Sequence, residues 1–138
     1  MTRTLAVLGG LFLVSASLGG CAGRAVAVGP LQGTQWQFVT IDGARAVSEQ
    51  ARLGFLKDAI SASAGCNSMG GNWRIEGDRL IAGPLMQTEM YCEGPVWVQE
   101  QAVSALLVSA PQFSLSGARL TLKSSGHSAE LVRRVTER

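Results

Sequence analysis

The sequence predicts an α+β domain: a curled antiparallel sheet or incomplete (cracked) β-barrel of about eight short strands, with one main helix at about residues 95–109. Three observations lead there. Seventeen glycines and a charged fraction of only 16% mark a chain of short elements and many turns. Short runs that alternate apolar and polar residues recur between turn signals, and links this tight make neighbouring strands antiparallel. Only one stretch carries convincing helical periodicity, and a single helix covers one face or plugs one end of such a sheet.

In chain order, residues 1–20 read as a secretory leader. Met1-Thr2-Arg3-Thr4 is a short positive segment, and the apolar core at 5–18 is shorter than the roughly 20 residues a membrane span needs. It ends Leu18-Gly19-Gly20-Cys21, which resembles the bacterial lipobox, where cleavage precedes a cysteine that is then acylated. Cys21 is therefore the expected lipidation site and attaches the chain to a membrane. Ala22 stands where many lipoproteins carry an inner-membrane retention aspartate, which implies the outer membrane and its periplasmic face. The alternative is a secreted protein with a chance cysteine. Residues 21–33, broken by Gly23, Gly29, Pro30 and Gly33, read as a lipidated tether, and pairing of 25–28 with a sheet edge is the less favoured reading.

The folded domain is expected over 34–133. Residues 34–41 alternate around Trp36 and Phe38 and run into the turn signal Asp42-Gly43. Strands are expected at 52–56 and 59–63, with Lys57-Asp58 turning between them. Gly65-Cys66-Asn67 and Met69-Gly70-Gly71 read as turn, followed by strands at 72–75 and 79–81. Gly83-Pro84 breaks the pattern and leaves 85–91 extended or looped. In the helix, Pro95 suits the first turn, Glu93 suits the positive N-terminus, and Val96, Val103, Leu106, Leu107 and Ala110 form the apolar stripe. Gln99, Glu100 and Gln101 are expected to face away from the core. Strands at 113–115, 120–122 and 129–132 complete the sheet, and 134–138 is a charged tail.

Twelve basic residues against ten acidic, with Arg133-Arg134 the only basic cluster, supply no field for nucleic acid or for an anionic membrane surface. The runs "GTQWQFVTIDG", "LGFL", "GCNSMGGNW", "TEMYC" and "SLSGARLTLK", with Glu100 and Leu106 between the last two, resemble the META domain, the HslJ-like lipoprotein family. The resemblance spans residues 31 to about 133, and its specific part is GCN followed by T-x-M-x-C: Gly65, Cys66, Asn67, Thr88, Met90 and Cys92. It implies a curled antiparallel sheet with a helix, and roles tied to heat stress, antibiotic tolerance, motility or virulence. It also implies a likeness to secretin pilot lipoproteins, whose cracked barrel binds lipid and a partner's tail. It implies no enzymatic reaction.

Chemistry in the residues themselves is sparse. Cys66 and Cys92 are open to three readings, a disulfide, a metal pair or two free thiols; an oxidising compartment favours the disulfide. A metal site needs more ligands, and His127 is the single histidine. Gly126-His127-Ser128 faintly resembles a nucleophile elbow but lacks the second glycine and a base, so it reads as a hairpin turn. Asp42, Asp58 and Asp78 all fall in turns. Asn67 reads first as an amide that locks its own turn, with a functional role as the alternative. Trp36, Trp73 and Trp97 read as core or as the lining of a cavity, and Met86, Met90, Tyr91 and Trp97 as an adaptable apolar binding mouth.

The expected function is a non-enzymatic, monomeric envelope lipoprotein without cofactor or metal, related to stress or antibiotic tolerance. It would bind a protein or lipid at the outer membrane and no nucleic acid. The alternative is an acyl-chain carrier or secretin-pilot-like chaperone with an apolar cavity.

Overall fold

The computed structural model describes residues 29–135. The leader, Cys21, residues 22–28 of the expected tether and the last three residues of the tail lie outside the described residues.

Ten strands and one helix follow in order: β1 (Thr34–Ile41), β2 (Ala44–Arg45), β3 (Arg52–Phe55), β4 (Ala59–Ser63), β5 (Ser68–Glu76), β6 (Arg79–Ala82), β7 (Met86–Gln87), α1 (Gly94–Val108), β8 (Gln112–Ser116), β9 (Arg119–Lys123) and β10 (Ser128–Arg133). Every pairing is antiparallel. The order β10-β9-β8-β6-β5-β4-β3-β1, together with pairing of β1 to β10, closes eight strands into a ring. The expected incomplete barrel is thus corrected to a closed one. β1 closes it because its eight residues are long enough to pair with β10 on one side and with β3, then β2, on the other. The thinnest seam is β6 to β8, where Arg79 opposite Gln112 is the one paired position, extended by Leu80 N–H to Pro111 O and Phe113 N–H to Asp78 O.

Alternation along β1 sends Trp36, Phe38 and Ile41 inward, with a bulge between Phe38 and Thr40. They meet Leu53, Phe55, Ile60, Leu80, Leu120, Leu122 and Leu131 in one continuous buried cluster. The interior is filled by side chains, as small barrels require. The β1–β2 turn is built by Asp42 and Gly43, with φ of 51° and 77°, the conformation that tight hairpins prefer.

Four local expectations change. The Met69–Gly71 turn is instead the start of β5, paired with β4 along its length. Its glycine is needed for close approach, since a Cβ on Gly71 would lie 2.5 Å from Pro84 O. Within the connection at 85–91, expected to be extended or looped, Met86–Gln87 goes further and forms β7, which pairs with Met69 and Gly70. The end of the expected tether is folded: residues 30–33 form a turn, and Leu31 is fully buried in the core. In α1, Gln99 and Glu100 are buried, against the expectation that they face away, while Gln101 is exposed as expected. Val96, Val103, Leu106 and Leu107 already fixed the buried stripe, and helical spacing puts 99 and 100 on it. Ala110, the last residue of the expected stripe, instead takes φ 51° just beyond the helix.

Candidate functional site

The Gly65–Cys92 stretch forms one connected node. Gly65 links β4 to β5 with φ 126°, a conformation open to glycine, and a Cβ there would collide with Ser48. This brings Cys66 under the segment that leads into α1, and Cys66 and Cys92 form a disulfide with Cα atoms 6.4 Å apart. Among the three readings of these cysteines, the bridge is the one the structure contains.

Asn67 is buried at the centre. Its Oδ1 accepts from Met90 N–H at 2.7 Å and from the Thr88 hydroxyl at 2.9 Å. Its Nδ2 donates to Met90 O and to Glu100 Oε2, both at 3.2 Å, and its backbone N–H donates to Glu100 Oε1 at 2.9 Å. Thr88 Oγ1 also accepts from Ser68 N–H at 3.0 Å. The amide therefore locks more than its own turn. It joins the β4–β5 turn, the 88–90 segment and the helix.

Glu100 is 0% exposed and makes no ion pair among the described residues. Three N–H donors, two from Asn67 and one from Gln87 Nε2 at 3.3 Å, stand where a cation would otherwise be needed. Its neighbour Gln99 pins the other side of the helix, accepting from Val47 N–H at 3.0 Å and donating to Arg45 O at 2.8 Å. Sequence reasoning missed both residues, although the helical spacing already pointed at them.

Cys66, Cys92 and Glu100 place one ligand-type atom each within 4.8 Å of one another, a spacing a metal could use. The residues do not fit one. The sulfurs are bonded to each other, and Asn67 Nδ2 sits 3.3 Å from Cys92 Sγ and 3.2 Å from Glu100 Oε2, in the space a cation would occupy.

Held on this node, Met90, Tyr91 and Trp97 line an open groove of about 480 Å³ together with Gln87 and Thr88. Tyr91 is 86% exposed and Trp97 41%, and the Tyr91 hydroxyl donates to Glu93 at 2.9 Å. The predicted mouth is brought together except for Met86, which is 83% exposed on β7 but is not a wall of this groove. Of the other two tryptophans, Trp36 is buried and Trp73 packs edge-on against Phe55, centroids 4.9 Å apart. A second, more apolar groove of about 400 Å³ runs between the β1–β2 hairpin and α1, walled by Val47, Pro95, Val98 and Ala102. It was not legible in sequence because its walls come from elements far apart in the chain.

His127 is a turn residue, as its sequence suggests. Its Nδ1 lies 2.8 Å from Asp42 Oδ2, while Asp42 Oδ1 accepts from Ser128 N–H, so the pair ties the β1–β2 turn to the β9–β10 turn. Partial burial pushes the Asp42 carboxyl up, but the Ser128 N–H and the His127 ring outweigh it and hold it below its ordinary value. A carboxyl depressed in the folded state contributes stability that is complete above the unfolded value, about pH 4, and is lost as pH falls through the folded value. Asp42→Asn should therefore flatten the acid limb of a stability-versus-pH curve below about pH 4. Superimposable acid limbs for the two proteins would contradict this role.

The META domain family model matches residues 29–136. No curated protein matches the chain. Two structures solved by NMR are similar to it. One aligns with a TM-score of 0.66 at 24% identity, covering 74% of this chain and 90% of its own. The other, of a protein from Burkholderia xenovorans, aligns with a TM-score of 0.63 at 23% identity, covering 77% and 85%. At these identities the likeness concerns the fold.

Proposed function

The chain belongs to the META domain family, and from that premise we propose that it is a non-enzymatic envelope lipoprotein, anchored through Cys21, that binds a protein or lipid through the Met90–Tyr91–Trp97 mouth. The observation that carries this reading is the contrast between support and surface. A disulfide, a buried carboxylate and an asparagine with five hydrogen bonds hold a short segment whose outward side chains are large, apolar and exposed. Rigid support under exposed aromatic and methionine side chains is what a recognition surface needs.

The filled barrel interior favours this surface over an acyl-chain carrier, which would need an apolar lumen. Attachment at the outer membrane and a role in stress or antibiotic tolerance belong to the same proposal. A photo-crosslinking residue at Tyr91 in the acylated protein should give an adduct that the same probe at Ser114, exposed on β8 and outside the groove, does not give. Trp97→Asp should remove that adduct. Identical adducts from both positions would contradict the mouth, and unchanged labelling by a palmitate analogue in Cys21→Ser would separately contradict the anchor.

A further inference from the structure

The near-neutral charge of the chain conceals a separation of charge along the barrel. At the end where the chain enters, β1 begins, β10 finishes, and the β3–β4, β5–β6 and β8–β9 turns lie. Gly33 N–H bonds Phe55 O there, Arg134 N–H bonds Gln35 O, and Arg133 N–H bonds Ala118 O. This end carries Lys57, Arg74, Arg79, Arg119, Arg133 and Arg134, all exposed, against Asp58, Glu76 and Asp78. Arg74 is paired with Glu76 and Arg119 with Glu130, and Arg133 lies over Trp36 at 5.1 Å. Lys57 and Arg134 make no ion pair among the described residues. The opposite end, under α1, is closer to balanced: Asp42, Glu49, Glu89 and Glu93 are exposed there with Arg45, Arg52 and Lys123.

We propose that the chain-entering end of the barrel is a docking surface for anionic lipid headgroups, and that the barrel stands on a membrane by this end with its disulfide-backed mouth pointing away. Two observations choose that occupant. One is charge: exposed Lys and Arg side chains gather at the end where the chain enters, with the first described residue, Gly29, placed so that a Cβ on it would lie 4.0 Å from Ile75. The other is chain length. Seven residues separate Cys21 from Gly29, and the fully extended link reaches less than about 30 Å, so an anchored barrel keeps this end nearest the bilayer. Each exposed cation close to an anionic surface then adds to attachment, while the opposite end has no such excess of cations. Near-neutral charge and the lack of a basic cluster beyond Arg133-Arg134 excluded such a field in the sequence; strand order, which neither captures, assembles it.

The chain-length argument rests on the proposed anchor at Cys21, but the charge argument and the test do not depend on acylation. The full chain is mixed with phosphatidylcholine vesicles and with vesicles containing phosphatidylglycerol, at low and physiological salt. The expected result is stronger binding to the anionic vesicles, weakened by salt. In Lys57→Glu/Arg134→Glu that preference should fall at least about tenfold, since each cation lost near the surface is worth about fivefold. Glu89→Gln/Glu93→Gln, at the other end, should leave it intact. Equal partition into both vesicle types, or a preference that the Lys57/Arg134 variant retains, would overturn the proposal. So would tighter binding to duplex DNA of matched charge, which would mark a nucleic-acid surface instead.

Discussion

Asn67→Ala should destabilise the domain by about 3 kcal/mol, lowering Tm by roughly 15 °C. Removing the side chain strips Glu100 of one of its three donors and leaves Met90 N–H and Met90 O without the partners they have at 2.7 and 3.2 Å. The larger part of the loss is the desolvation of groups left unpaired, because a buried polar atom that loses its partner costs more than the bond itself contributed. Asn67→Asp should do no better, since it replaces the donor facing Glu100 with a second carboxylate in the same buried space. Coupling makes the assignment specific. Because each single change orphans the other's partner, Asn67→Ala/Glu100→Ala should cost less than the sum of the two singles by about 1–3 kcal/mol. Strict additivity in denaturant unfolding would mean that the two residues act independently.

Removing the disulfide should have an effect of similar size by a different route. Cys66 and Cys92 are 26 residues apart, and closing such a loop stabilises by about 3.5 kcal/mol through the entropy of the unfolded chain. The folded segment remains attached by Asn67 and by the β5–β7 pairing, so Cys66→Ser/Cys92→Ser should stay folded with a lower unfolding midpoint. Combined with Asn67→Ala, the summed loss of about 6 kcal/mol reaches the range of total stability for an ordinary domain, and the triple variant should be largely unfolded. An oxidised and a reduced protein with the same denaturant midpoint would show that the bridge contributes nothing.

Most of the architecture was legible because local signals and tertiary structure agree. The alternation around Trp36 and Phe38, the Asp42-Gly43 turn and the Pro95 helix start each sit where the residues alone place them. Barrel closure was not legible, since it depends on β1 pairing with β10 from the far end of the chain. The glycines of Met69–Gly71 misled for a physical reason: glycine serves both turns and close backbone approach, and only the position of Pro84 decides between them. Within the site, Gly65, Cys66, Asn67, Thr88, Met90 and Cys92 were identified from sequence, and the structure gives their common task. Glu100 was misplaced because polarity was weighed above periodicity, and a buried carboxylate is intelligible only once its donors are seen. Charge followed the same rule as closure. The cations of the chain-entering end are scattered from Lys57 to Arg134 and meet only through strand order.

Within Gly65–Cys92 the labour is divided: a buried polar node holds an exposed surface. Hydrogen exchange at the Met90 amide tests that division most directly. Met90 is 58% exposed and lies outside every strand and helix, yet its N–H donates to a buried oxygen at 2.7 Å. The expected result is exchange as slow as that of amides in the core strands, such as Leu131, opening only with global unfolding. Exchange at the rate of a solvated loop would mean that the segment is not held by Asn67, and would contradict the preformed mouth.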